Sequence, residues 1–98
     1  MKARLILDSK TVFSDGRIVQ RKVWHLPRPT SERSHGLKYR LYCGKDGVNI
    51  VRYDNETSKG DHRHVGADEI ELPYRFESLT KLLADFARDI EKYSGAIE

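Results

Sequence analysis

The sequence predicts an α+β fold: a four-stranded antiparallel β-meander with a C-terminal amphipathic helix packed on one face. Three observations predict it. Runs rich in leucine and β-branched residues are joined by Asp-Gly turns, "LKYRLYC" alternates with a period of two, and the last twenty residues switch to a three-to-four-residue period. An amphipathic helix that follows an antiparallel sheet buries its apolar stripe by covering one sheet face.

The first hairpin joins "ARLILDSKTVF" to "RIVQRKVWHL" across Asp15-Gly16, where a type I′ turn would use the positive φ that Gly and Asp tolerate. The next segment, "PRPTSERSHG", carries two prolines and a glycine and reads as a loop, because proline removes a ladder donor. "LKYRLYC" then places Leu37, Tyr39, Leu41 and Cys43 on one side, the expected core side, and Lys38, Arg40 and Tyr42 on the other. "GKDG" (44–47) turns the chain into "VNIVRYDN", which closes the predicted sheet over about residues 2–65.

Leu79, Leu82, Leu83, Phe86, Ile90 and Tyr93 share one helical face, predicting a helix over about 78–94, with Ser78 as N-cap and Gly95 past the C-terminus. At 98 residues the chain is the size of a single compact domain, 1–98. No apolar run approaches the roughly 20 residues that span a bilayer, and the N-terminal apolar stretch is short for a signal peptide, so the expectation is a cytoplasmic protein with no membrane contact. Cys43 is the sole cysteine, which excludes an internal disulfide and a cysteine-based zinc cluster.

The net charge of +3 hides a division along the chain. Residues 17–64 carry eleven basic and five acidic residues, whereas residues 65–98 carry four and eight. Arg21, Lys22, Lys38, Arg40, Lys45 and Arg52, interleaved with Trp24, Tyr39, Tyr42 and Tyr53, suit a surface that holds phosphates and stacks on unpaired bases. A plain charged sheet face has the same composition. Arg75, before the helix, adds one more candidate phosphate contact.

The densest polar stretch is "YDNETSKGDHRHVG" (53–66). If "KGDHRH" is extended, His62 and His64 project to one side and Lys59, Asp61 and Arg63 to the other; if it is a loop, as Gly60 permits, all five converge. Two imidazoles one residue apart suit general acid/base chemistry near neutral pH, with a neutral ring removing a proton and a protonated ring donating one. RNA cleavage by its own 2′-hydroxyl needs that pair and a cation against the developing charge. On this scheme His62 and His64 are the pair, Asp61 the orienting carboxylate, and Lys59 with Arg63 the phosphate contacts, and no cofactor is required. The alternative chemistry is a divalent metal held by His62, His64 and Asp54 that activates water in a phosphodiesterase or nucleotidyl-transferase. A solvated polar loop would need neither.

"MKARLILDSKTVFSDG", "YRLYCGKDG", "YDN…KGDHRH" and "PYRFESLTKLLADF" together resemble the TumE family of small proteins from prokaryotic toxin–antitoxin systems. The resemblance covers nearly the whole chain in the same order. It implies a toxin component of a type II-like system, held in check by a cognate antitoxin, commonly a helix-turn-helix DNA-binding protein. It marks Asp54, Asn55, Lys59, Gly60, Asp61, His62, Arg63 and His64 as motif positions, with Tyr53, Asp54, Asn55 and Gly60 supporting the site. Combined with the residue chemistry it gives an endoribonuclease with RNA as substrate; a non-catalytic RNA- or protein-binding module is the alternative, and self-association is compatible with either.

Overall fold

A computed structural model describes residues 2–31, 33–55 and 60–94. In chain order the elements are β1 (Arg4–Val12), β2 (Arg17–His25), β3 (Leu37–Lys45), β4 (Val48–Asp54), β5 (His62–Val65), β6 (Ile70–Pro73) and α1 (Leu79–Ser94). The sheet is an antiparallel meander with strands in sequence order. The fold is therefore α+β with one C-terminal helix among the described residues, but the sheet has six strands and not four.

The two strands beyond the expected four are short, and neither has an apolar face long enough to signal itself. β5 is "HRHV", a polar segment made a strand by pairing Tyr53 with Arg63 and Val51 with Val65. β6 is "IELP", ending on a proline that an edge strand tolerates because its nitrogen needs no ladder acceptor. The sheet consequently runs to Pro73 and not to about residue 65.

The turns follow their residues. The β1–β2 hairpin forms where expected, but with a three-residue connection: Phe13 N donates to the Arg17 carbonyl, Gly16 N donates to the Phe13 carbonyl, and Gly16 takes φ +95°. That is a type I turn followed by a left-handed glycine and not the two-residue type I′ turn. The type I′ geometry appears between β3 and β4, where Asp46 (φ 53°) and Gly47 (φ 78°) both lie in the left-handed region.

The core lies between α1 and the sheet side that carries Val23, Tyr39, Leu41, Cys43, Val51 and Tyr53. Leu82, Phe86 and Ile90 of α1 close it, with Leu79, Leu83 and Tyr93 at its margin. Ser78 caps the helix: its Oγ accepts from Lys81 N at 3.1 Å. Gly95 lies outside the described residues.

Two aspartates are buried with this apolar stripe, and each has hydrogen-bond partners, as buried charges require. Asp85 accepts from Tyr74 Oη (2.7 Å), Lys81 Nζ (2.7 Å) and Arg88 Nη2 (2.6 Å). Asp89 accepts from Tyr53 Oη and Arg63 Nη1, each at 2.5 Å, tying the helix to β4 and β5. No helix among the described residues is long and apolar enough to cross a membrane.

Candidate functional site

The helix covers one sheet face, and the other is left open to the surroundings. In an antiparallel pair, residues directly opposite one another share a face. Register therefore places Lys22, Arg40, Asp54 and His62 in one row across β2 to β5, and Tyr42, Arg52, His64 and Glu71 in the next row across β3 to β6. Both histidines stand on this open face beside the cations of β3 and β4.

β5 is extended, so its side chains alternate, and the motif divides. The His62 and His64 rings lie 5.1 Å apart between centroids. Arg63 between them turns the other way, to Asp89 on the helix.

His62 is buried, and each of its ring nitrogens faces an oxygen. Nδ1 is 2.9 Å from the Gly60 carbonyl, and Nε2 is 2.8 Å from Asp54 Oδ1. The second approach is a close contact without hydrogen-bond geometry, and Asp54 Oδ1 has no hydrogen-bond donor among the described residues. Gly60 has φ +69°, a backbone conformation that glycine adopts without strain.

His64 is held by two groups of opposite charge. The Arg52 guanidinium contacts Nδ1, and Nε2 is 3.1 Å from Glu71 Oε1. Arginine only donates, so Nδ1 accepts and Nε2 carries the proton shared with Glu71. Arg52 also lies 3.4 Å from Asp54 Oδ2 and 3.3 Å from Glu69 Oε1.

The remaining candidates from the sequence separate into three groups. Lys38 and Arg40 are on the open face, with Lys38 Nζ 5.3 Å above the Trp24 ring. They border a cleft of about 390 Å³ that Trp24, Asp54 and Asn55 also line. A neighbouring groove of about 480 Å³ runs past Lys22, Arg40, Tyr42 and Arg52.

A second group is structural. Asn55 extends the β3 ladder, its Oδ1 accepting from Tyr39 N (3.0 Å) and its Nδ2 donating to the Leu37 carbonyl (2.8 Å). Tyr53 is fully buried, and burial with its hydrogen bond to Asp89 pushes its phenol above the ordinary value, so it stays a donor. Asp61 accepts from Tyr39 Oη (2.6 Å) and lies 3.2 Å from His35 Nε2, whose ring stacks on Phe76 at 3.9 Å. The carboxylates within 3.9 Å of the two imidazoles are Asp54 and Glu71; Asp61 contacts His35 and Tyr39 and lines a cleft of about 310 Å³ together with His62 and Glu71.

The third group stands apart. Arg75 is exposed between β6 and α1, and no described contact joins it to either histidine. Lys59 lies outside the described residues.

Arg52 and Glu71 are the residues that sequence reasoning placed incompletely or missed. Arg52 was legible as a cation of the basic segment, and its place beside Asp54 and His64 comes from strand pairing. Glu71 was legible only if "IELP" is paired with "HRHV", and that pairing is a tertiary fact.

These features define a small α+β protein with a helix-covered face and a cationic, histidine-bearing open face. Residues 2–94 match the family described as Toxin TumE, and the chain belongs to that family. It is thus a toxin component of a toxin–antitoxin system, which implies a cognate antitoxin as partner. No curated protein and no solved structure matches the chain.

Proposed function

We propose that the open sheet face binds RNA and cleaves it, with His62 and His64 as the general acid/base pair. The observation that carries this reading is their arrangement: two imidazoles 5.1 Å apart on one face, each against its own carboxylate, amid Arg40 and Arg52.

The two rings have different settings. His64 accepts from Arg52 at Nδ1, the nitrogen that can take a proton once Arg52 turns toward a phosphate. His62 presents both ring nitrogens to oxygens, Nδ1 to the Gly60 carbonyl and Nε2 to Asp54, the setting of a proton donor. His64 is accordingly the base that deprotonates the 2′-hydroxyl, and His62 the acid that protonates the departing 5′-oxygen. Arg52, with Arg40 and Lys38, opposes the charge that develops on the phosphorus oxygens. The proposed contribution of Asp61 and Arg63 is to position the strand, not to touch substrate.

The test is expression of a His62→Ala, His64→Ala double variant alongside wild type, with RNA ends mapped in each. Loss of growth inhibition and of new RNA ends, with the fold retained by circular dichroism, is the expected result. Undiminished toxicity sinks the proposal, and RNA that is bound but left intact by wild type makes the protein a non-catalytic binder.

A further inference from the structure

The histidine pair is also the centre of a cluster of converging donor atoms. One atom each from His62, His64 and Glu71 lies within 4.8 Å of the others. Glu71 Oε1 is 3.1 Å from His64 Nε2 and 3.9 Å from His62 Nε2, and Asp54 Oδ1 is 2.8 Å from His62 Nε2. Ligands bonded at about 2.0–2.2 Å to a tetrahedral metal stand roughly 3.3–3.6 Å apart, and the two Glu71–histidine spacings of 3.1 and 3.9 Å lie on either side of that length.

Asp54 supplies an independent sign. It is 4% exposed, and its Oδ1, aimed at His62 Nε2, has no hydrogen-bond donor among the described residues. A buried carboxylate oxygen in that position is costly unless a proton or a cation meets it. His62 is prepared in the same sense, since donating Nδ1–H to the Gly60 carbonyl directs the Nε2 lone pair into the cluster, as metal-bound histidines are commonly oriented.

We propose that His62, His64 and Glu71 form a binding site for a divalent transition metal, with Asp54 as a neighbouring carboxylate against His62 and zinc favoured by the two-nitrogen, one-carboxylate ligand set. Magnesium and calcium prefer all-oxygen shells and fit it poorly. The inference uses the same side chains as the proposed acid/base pair and sets a limit on it: a ring nitrogen that holds a metal holds no proton, so the metal-loaded protein is the form without acid/base chemistry.

Arg52 is the local competitor. Its guanidinium contacts His64 Nδ1 and lies 3.4 Å from Asp54 Oδ2, so it must swing away, toward Glu69, as the metal enters. Zinc affinity therefore falls when Glu71 loses its charge and rises when Arg52 loses its charge. A merely structural role for either residue moves affinity in neither direction.

The experiment is calorimetric titration of chelator-treated, buffer-exchanged full-length protein with zinc sulfate and, separately, magnesium chloride. One zinc per chain is expected, with no magnesium uptake, at least tenfold weaker binding in Glu71→Gln and tighter binding in Arg52→Gln. Zinc affinity also weakens as pH is lowered, because the imidazoles must shed protons to ligate. No stoichiometric zinc uptake overturns the site, as does wild-type affinity in Glu71→Gln. RNA cleavage assayed in chelator tests the acid/base reading alone, so the two proposals fail separately.

Discussion

Arg63 Nη1 lies 2.5 Å from Asp89 Oδ2, joining the middle residue of the His-Arg-His segment to the buried face of α1. This contact keeps β5 in the one register that sends both flanking histidines to the open face. A slip of one residue would reverse all three.

Arg63→Ala leaves the buried Asp89 with Tyr53 as its one remaining described donor. Removing one member of a buried ion pair costs about 3 kcal/mol, discounted somewhat because Arg63 is partly exposed. A urea unfolding midpoint lowered accordingly is expected, and a wild-type midpoint would show that Arg63 is no anchor.

Phe86 is fully buried between α1 and β4. Phe86→Ala should cost about 3–5 kcal/mol through reduced burial and the cavity left behind. For a domain this small that is much of the total stability, and thermal unfolding by circular dichroism measures it.

Gly44 lies under the ring of Tyr42, and a Cβ placed on it would sit 1.9 Å from the Tyr42 hydroxyl oxygen. Gly44→Ala should therefore destabilise by about 1–3 kcal/mol. The same change in a Tyr42→Ala background should cost clearly less, and a double-mutant cycle checks this coupling.

Acid should unfold the protein partly through Asp85. Burial pushes its carboxyl up, but Lys81, Tyr74 and Arg88 together outweigh burial and hold it below 3.8, the ordinary value. As pH falls toward and below that value the unfolded chain takes up the proton first, so the stability contributed by Asp85 is present above it and lost below it. At the alkaline end Tyr53 and Tyr74 are both raised above 10.0, mainly by burial, so their contribution is intact below that pH and lost as pH climbs beyond it. Urea unfolding across both ranges, with Asp85→Asn expected to flatten the acid limb, tests this.

If RNA lies on the open face, Arg40→Ala weakens its binding about equally for all sequences. On a single strand it also lowers the salt dependence by roughly 0.7 for each phosphate that Arg40 had neutralised. Fluorescence anisotropy at several salt concentrations reads both, and an unchanged slope removes Arg40 from the interface.

The sequence by itself determined the α+β class, the first four strands, the capped helix and the split of β3 into a core side and a cationic side. These are local matters: a period of two in "LKYRLYC", a period of three to four from Leu79 to Tyr93, and Ser78 as cap all express backbone geometry within a few residues. It also marked residues 54–64 and foresaw that an extended segment would put His62 and His64 together, opposite Arg63. Only the tertiary structure decided that this segment is a strand, because no apolar pattern in "HRHV" declares one and its ladder partners come from β4 and β6. It likewise decided which carboxylates meet the histidines. Asp61 is nearest in sequence but turns to Tyr39 and His35, whereas Asp54 and Glu71 reach the imidazoles across strand pairs. Proximity across a sheet is set by register between distant segments, and no stretch of sequence contains it.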